Sequence, residues 1–294
     1  MKTASITVAL VVAVAVPVPA LAGQDDTASA LPADGQWVLD YGEEHCRLVR
    51  AFGAGDTRHI LALEQDEPGE RFAFTLVGPQ AKRFDAKGDI ELLFGDVPVA
   101  TAGTSTLDNR RDIGPMLRLT VSTRPGAWED GDTANQPRPF APMDAERFAA
   151  ANTIHLTQDD ASIAFETGAM SEPLAALNTC ALDLVKHWGL DVDEQAGALR
   201  RPVWTNQQAF AERMLRNVAV PNGGGATGVR FRMRFAVDEA GAVTECFLDG
   251  AAKVGNARAD PCRFAGMARF EPALDADGRP MASYYIARVL YRGY

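Results

Sequence analysis

The sequence is poor in the residues from which reactive and metal centres are most often built. It has four histidines and four cysteines among 294 residues. No Cys-x-x-Cys, His-Glu-x-x-His or Gly-x-Ser-x-Gly occurs, so zinc-ribbon, zincin and serine-hydrolase chemistry have no local signature. Gly223-Gly224-Gly225 lacks the Lys-Ser/Thr of a phosphate loop and precedes a strand rather than a helix. Basic residues are the minority, 29 Lys and Arg against 39 Asp and Glu, which leaves a net charge of -10. That balance argues against nucleic acid, whose phosphates demand a basic surface, and against charge-driven binding to anionic lipid. Beyond residue 22 no apolar run approaches the roughly 20 residues that a membrane-spanning helix needs.

What is present begins with Lys2, an apolar run from Ile6 to Val18 broken by Pro17 and Pro19, and the small-x-small triplet Ala20-Leu21-Ala22. These features predict a signal peptide cleaved after Ala22, and hence an exported, soluble mature chain without a membrane anchor. In an oxidising compartment the four cysteines, Cys46, Cys180, Cys246 and Cys262, predict two disulfides. Three pairings are open at this point. Zinc is the rival use, but only His45 lies next to a cysteine, and neither a metal nor a cofactor is expected.

Residues 23–34 are small and polar and read as a disordered leader. A mainly β domain of unknown role is expected over 35–192. Cys46–Gly53, His59–Leu63, Phe72–Gly78, Asp89–Gly95, Met116–Val121 and Ala161–Gly168 are its strands, and the spacing suggests an antiparallel sheet or sandwich. Ser122–Pro142 is rich in Pro, Gly and Asp and reads as a long loop. The period then changes. From a cap at Ser171 to Gly189, the residues Leu177, Ala181, Leu184, Val185 and Trp188 fall on one helical stripe. Cys180 lies on the buried side of that helix and needs a partner on a strand, for which Cys46 is available. Two separate buried thiols are the alternative, which export disfavours.

Residues 193–203 read as a linker, and 204–294 as a second unit. Asn206–Asn217 is an amphipathic helix with Phe210, Met214 and Leu215 inward. In the strand that follows, Val229, Phe231, Met233, Phe235 and Val237 alternate with Arg230, Arg232 and Arg234, so apolar residues take one face and arginines the other. Asp238–Gly241 turns the chain, and Ala242–Leu248 returns. Asp260 caps a helix with Pro261 at its first position, and Met281–Arg292 is a last strand.

The stretch "VRFRMRFAVDEAGAVTECFL … CRFAGMARFEPALDADGRP" resembles the C-terminal domain of TonB-like energy transducers. It fits the exported subgroup with one cysteine on the second strand and one on the helix. The resemblance covers about the last third of the chain. It implies a two-layer ββαβ unit, a Cys246–Cys262 disulfide stapling helix to hairpin, and Phe270 anchored in the core. The overall class is then α+β. It also implies a periplasmic binding role, in which an extended segment of an envelope partner adds a strand to a sheet edge. The cleavable signal and the missing Pro-rich spacer depart from a working transducer. The expected edge is the last strand, with Tyr284, Ile286, Arg288, Leu290 and Tyr291 as its partner-binding residues. The first domain or the Asn206–Asn217 helix could cover its second face, or a partner segment or a second copy of the chain could pair there.

Two further functions stay open on the sequence. His155 with Asp159 and Asp160, in "HLTQDD", could serve a periplasmic hydrolase or metal-dependent site in the first domain, although strand-end residues beside a solvated turn give the same pattern. A structural envelope or stress factor cannot be separated from a binding module by sequence.

Overall fold

In the strand Arg71–Val77, Phe72, Phe74 and Leu76 are buried. Their cross-strand neighbours are Leu63 and Leu61 on one side and Val121, Leu119 and Leu117 on the other. Period-2 alternation thus becomes continuous inward rows, and the first unit is built from such rows. The computed structural model describes residues 29–85, 88–110, 114–124, 127, 140–217, 229–250 and 260–291; of 102–110, 215–217, 229–231, 250 and 289–291 only the backbone is described. The proposed signal peptide, most of the 122–142 loop and the 223–225 glycines lie outside these residues.

The first nine strands are β1 (Ala33–Tyr41), β2 (Cys46–Phe52), β3 (His59–Gln65), β4 (Arg71–Val77), β5 (Glu91–Phe94), β6 (Val97–Arg110), β7 (Gly114–Ser122), β8 (Thr153–Gln158) and β9 (Ala161–Glu166). They form one antiparallel sheet in the order β1-β2-β3-β4-β7-β6-β5-β8-β9. Its two ends meet. Just ahead of β1, Leu31 bridges Phe165 of β9; its amide donates to Ala164 at 2.8 Å, and its carbonyl accepts from Glu166 at 2.9 Å. The curled sheet encloses one core that holds Phe52, Phe74, Phe94, Ile154 and Phe165.

Helix α1 (Ser171–His187) presents Leu174, Leu177, Cys180 and Leu184 to this core. Ser171 is its first helical residue rather than its cap. Fully buried Met170 takes the cap position, so packing rather than a side-chain hydrogen bond fixes the entry. Cys46 and Cys180 form a disulfide that fastens α1 to β2.

The expected linker contains helix α2 (Val192–Ala196), capped by Asp191, whose carboxylate accepts from the amides of Asp193 and Glu194. The second unit comprises β10 (Val203–Trp204), α3 (Gln207–Asn217), β11 (Val229–Val237), β12 (Val243–Gly250), β13 (Phe270–Glu271), β14 (Ala273–Leu274), β15 (Pro280–Met281) and β16 (Ser283–Tyr291). Its main sheet is β12-β11-β16, all antiparallel. Met233, Phe235, Val237, Phe210, Met214, Phe270 and Tyr285 share its core. Trp204 sits among the rings of Phe210, Phe235, Phe270 and Tyr285, at centroid distances of 5.0–5.7 Å.

Asp260 caps the segment Pro261–Met267, as its sequence predicts, but that segment is a 3₁₀ helix rather than an α-helix. It is only seven residues long and ends where Phe270 must enter β13. The Cys246–Cys262 disulfide closes a 16-residue separation between β12 and this segment. The protein is therefore α+β, with mostly antiparallel sheets.

Candidate functional site

Two features of the second unit bear on binding: the arginine face of its sheet and the outer edge of β16, with which no other described strand pairs. Arg232 and Arg234 of β11 do not face water. That face meets Glu44, His45, Glu64, Asp66 and Glu67 of the first unit, so charged groups carry the contact beside the apolar packing of Tyr284 and Ile286.

Glu64 of β3 is the centre of the contact. Its carboxylate accepts from Arg47 of β2 at 2.6 Å, Arg118 of β7 at 2.8 Å and Arg232 of β11 at 3.0 Å. Arg232 also donates to Asp66 at 3.2 Å and to Asp249. Arg288 of β16 donates to Asp66 and Glu67, in each case with one contact at 3.0 Å. Arg234 makes a bidentate pair with Glu44, at 2.7 and 2.8 Å, and its guanidinium lies between the rings of Trp188 and Phe247. His45 Nδ1 lies 3.0 Å from Asp249 Oδ2.

Burial alone would raise the Glu64 carboxyl; the guanidiniums of Arg118, Arg232 and Arg47 outweigh it and hold it well below the usual carboxylate range. Asp66 is depressed in the same way, burial being outweighed by Arg288 and Arg232. For Asp249 the hydrogen bond from His45 is the leading cause of its depression, reinforced by Arg232 against the opposing effect of burial. The seam is thus a set of ionised groups. Each of these buried charges has an opposite charge beside it, which is the condition for tolerating it.

β16 is the edge strand of the β12-β11-β16 sheet, paired with β11 from Ser283 to Tyr291 without a register shift. Both faces of its described half are covered. Tyr285 and Ala287 lie in the second unit's core. Tyr284 and Ile286 pack with Val185 and Trp188 of the α1 region, and burial raises both tyrosine hydroxyls, that of Tyr285 to about 12. Of the five residues expected to meet a partner, Tyr284 and Ile286 are therefore engaged by the first unit, and Arg288 by its carboxylates. The side chains of Leu290 and Tyr291 lie outside the described set. What remains for a partner is the backbone edge.

The residues of the hydrolase or metal alternative are not drawn together by the contacts that surround them. His155 Nε2 lies 3.2 Å from Thr153 Oγ1 on β8. Asp159 and Asp160 form the β8–β9 turn, Asp159 with φ of 49°. His59 is buried and neutral: the Gln80 amide donates to Nε2 at 3.1 Å, and Nδ1 faces the Thr57 carbonyl at 2.8 Å. Burial lowers its pKa, against the Thr57 contact. Among the described residues, no three His, Cys, Asp or Glu side chains are placed to hold a metal, and no helix is long and apolar enough to cross a membrane.

The seam carboxylates were not singled out from sequence, although a signal existed. "EQDEPGE" (Glu64–Glu70) concentrates acids at the end of β3, and "RFRMR" concentrates arginines on β11. Their pairing spans 168 residues. No protein-family model, curated protein or solved structure matches the chain.

Proposed function

We propose that this chain is an exported, periplasmic interaction protein that takes an extended segment of an envelope partner onto the outer edge of β16 by strand addition. One observation carries the reading. β16 (SYYIARVLY) is a nine-residue edge strand with no proline and no bulge, and its one charge, Arg288, is consumed in the seam. Natural proteins blunt free edges with prolines, charges or bulges. β12, the other edge, carries Glu245 outside the seam, and its pairing with β11 is shifted at Ala236/Val237. The likeness to TonB-like C-terminal domains supports the same strand. With both faces of β16 occupied from Tyr284 to Ala287, affinity there would come from main-chain hydrogen bonds.

Successive residues of an antiparallel strand direct their amides to opposite sides. Of Val289→Pro and Leu290→Pro, one therefore removes a β11 hydrogen bond and the other an outward amide. Each variant and the parent chain are used to capture partners from envelope extract, with thermal unfolding measured in parallel. The variant that keeps its Tm should lose a partner that the parent captures. Undiminished capture by that variant, or no specific capture by the parent, overturns strand addition at β16.

A further inference from the structure

We propose that the segment added at β16 carries an acidic residue, and that Arg201 recognises its carboxylate. The inference rests on strand addition at β16 and names what that edge selects. Main-chain hydrogen bonds are alike for every sequence, so selectivity must come from side chains beside the edge.

Arg201 stands beside that edge. Its guanidinium lies 4.1 Å from the centre of the Tyr284 ring and 5.8 Å from that of Phe140, and its Nη2 is 3.8 Å from Glu67. Trp188 takes the inner side of Tyr284, because it lies 4.8 Å from that ring and 4.6 Å from the Arg234 guanidinium of β11. The outer side is left to Arg201, which shares Glu67 with Arg288 of β16. Tyr284 and Arg288 are four residues apart on β16 and so lie on one face of it. A strand laid against β16 directs every second side chain to that same face.

A second observation selects the side chain. Arg47, Arg118, Arg232, Arg234 and Arg288 each donate to a carboxylate of the seam. The Arg201 side chain is 10% exposed, yet among the described residues its Nε and Nη1 are buried without an acceptor. Glu67 is beyond hydrogen-bond reach of it and already accepts from Arg288 at 3.0 Å. The Tyr284 hydroxyl, beside the same guanidinium, is buried without a partner as well. Burial raises its pKa and Arg201 opposes the rise, but the two groups are not in hydrogen-bond geometry. Donors therefore gather here without an acceptor, around a cation whose nearest opposite charge is shared. A carboxylate answers both deficits, since it is anionic and accepts only. A carboxamide would answer one of them, and a basic side chain neither. No hydrogen bond holds the guanidinium in place, so it can turn to a carboxylate presented from the edge. The preference is local: a net charge of -10 does not draw acidic segments in from a distance.

The test is a titration of the full chain with the blocked heptapeptide Ac-Thr-Val-Thr-Val-Thr-Val-Thr-NH2, in which each position in turn carries Glu, Gln or Lys. Chemical shifts of the β16 amides report strand addition, and the Arg201 Nε–H signal reports the carboxylate. At the position that faces Arg201, Glu should bind at least about tenfold more tightly than Gln, and Lys more weakly than Gln. The Arg201 signal should move with that Glu peptide and stay still with its Gln counterpart. Arg201→Gln should remove the difference between the two and leave the Gln peptide's affinity unchanged. Equal binding of Glu and Gln at every position, with the β16 amides shifting, overturns the role of Arg201 and leaves strand addition standing. Unmoved β16 amides with every peptide overturn strand addition, and this inference with it. Sodium acetate that moves the Arg201 signal as far as the Glu peptide does at equal concentration identifies a small-anion site and overturns recognition of a segment.

Discussion

Arg232 of β11 and Glu64 of β3 meet at 3.0 Å, and through that contact the second unit's sheet is charged to the outer surface of the first. Glu64 serves two arginines of its own unit at the same time. Replacing it leaves three buried or half-buried guanidiniums short of a counter-charge. Glu64→Gln should therefore cost about 3 kcal/mol of unfolding free energy, as removal of one member of a buried ion pair does. In a double-mutant cycle with Arg232→Gln, urea unfolding should show a coupling above about 1 kcal/mol. Additive losses would mean that the two units are held by other contacts.

The seam also sets a response to acid. Glu64, Asp66 and Asp249 have folded pKa values below their unfolded ones, near 4. Their contribution is then complete above the unfolded value and is lost as pH falls below it toward the folded values. His59 is depressed as well, by burial, from 6.5. Its contribution is present above 6.5 and lost as pH falls through its folded value. Stability measured against pH should fall in two stages, a shallow one below about 6.5 and a steep one below about 4. His59→Gln should abolish the first stage and leave the second. A single-stage curve in the parent chain would contradict this assignment.

Each unit carries one disulfide, and the two close very different loops. Cys46–Cys180 spans 134 residues and Cys246–Cys262 spans 16. The chain-entropy argument assigns about 5 kcal/mol to the first and about 3 kcal/mol to the second. Paired Cys→Ser variants, Cys46/Cys180 and Cys246/Cys262, unfolded in urea, should keep that order. A reversed order would show that native-state packing around α1 already supplies what the longer closure constrains.

The legible parts of the fold were those in which one face is buried. β4, β7 and β11 announce themselves by alternation, because Phe72, Phe74 and Leu76, or Met233, Phe235 and Val237, must reach a core. Outer strands lack that demand. β1 exposes Gly35, Val38 and Tyr41 and went unread, as did β6, whose Pro98, Gly103 and run of small residues resemble a loop. Both cysteine pairings were legible, one from the buried side of a helix and the other from family likeness. Of the β16 edge, the strand was legible, but the cover over Tyr284 and Ile286 was one of four occupants the sequence allowed. The seam was hidden for a physical reason. The Arg232–Glu64 pair joins residues 168 positions apart, and exposed-looking charges give no sign of which opposite charge they will meet.

Two glycines of the second unit separate conformational strain from lack of space. Gly241 closes the β11–β12 turn with φ of +77°, and Gly278 closes the turn before β15 with φ of +78°. The backbones are almost alike, so an alanine at either position should cost about 1–2 kcal/mol for the left-handed conformation alone. Their surroundings differ. A Cβ on Gly278 meets nothing within 4 Å, whereas one on Gly241 would lie 2.1 Å from the carbonyl oxygen of Phe270. That carbonyl cannot retreat easily. The Phe270 amide donates back to Gly241 at 3.3 Å, and its ring packs against Trp204, Phe235 and Tyr285. Gly241→Ala must push the hairpin away from β13 and disturb that aromatic cluster. It should lower stability by at least about 2 kcal/mol more than Gly278→Ala, a cost of the size that overpacking produces. Thermal and urea unfolding of the two variants gives the comparison directly. Equal losses would mean that the hairpin and β13 do not approach as closely as the Gly241–Phe270 contact requires.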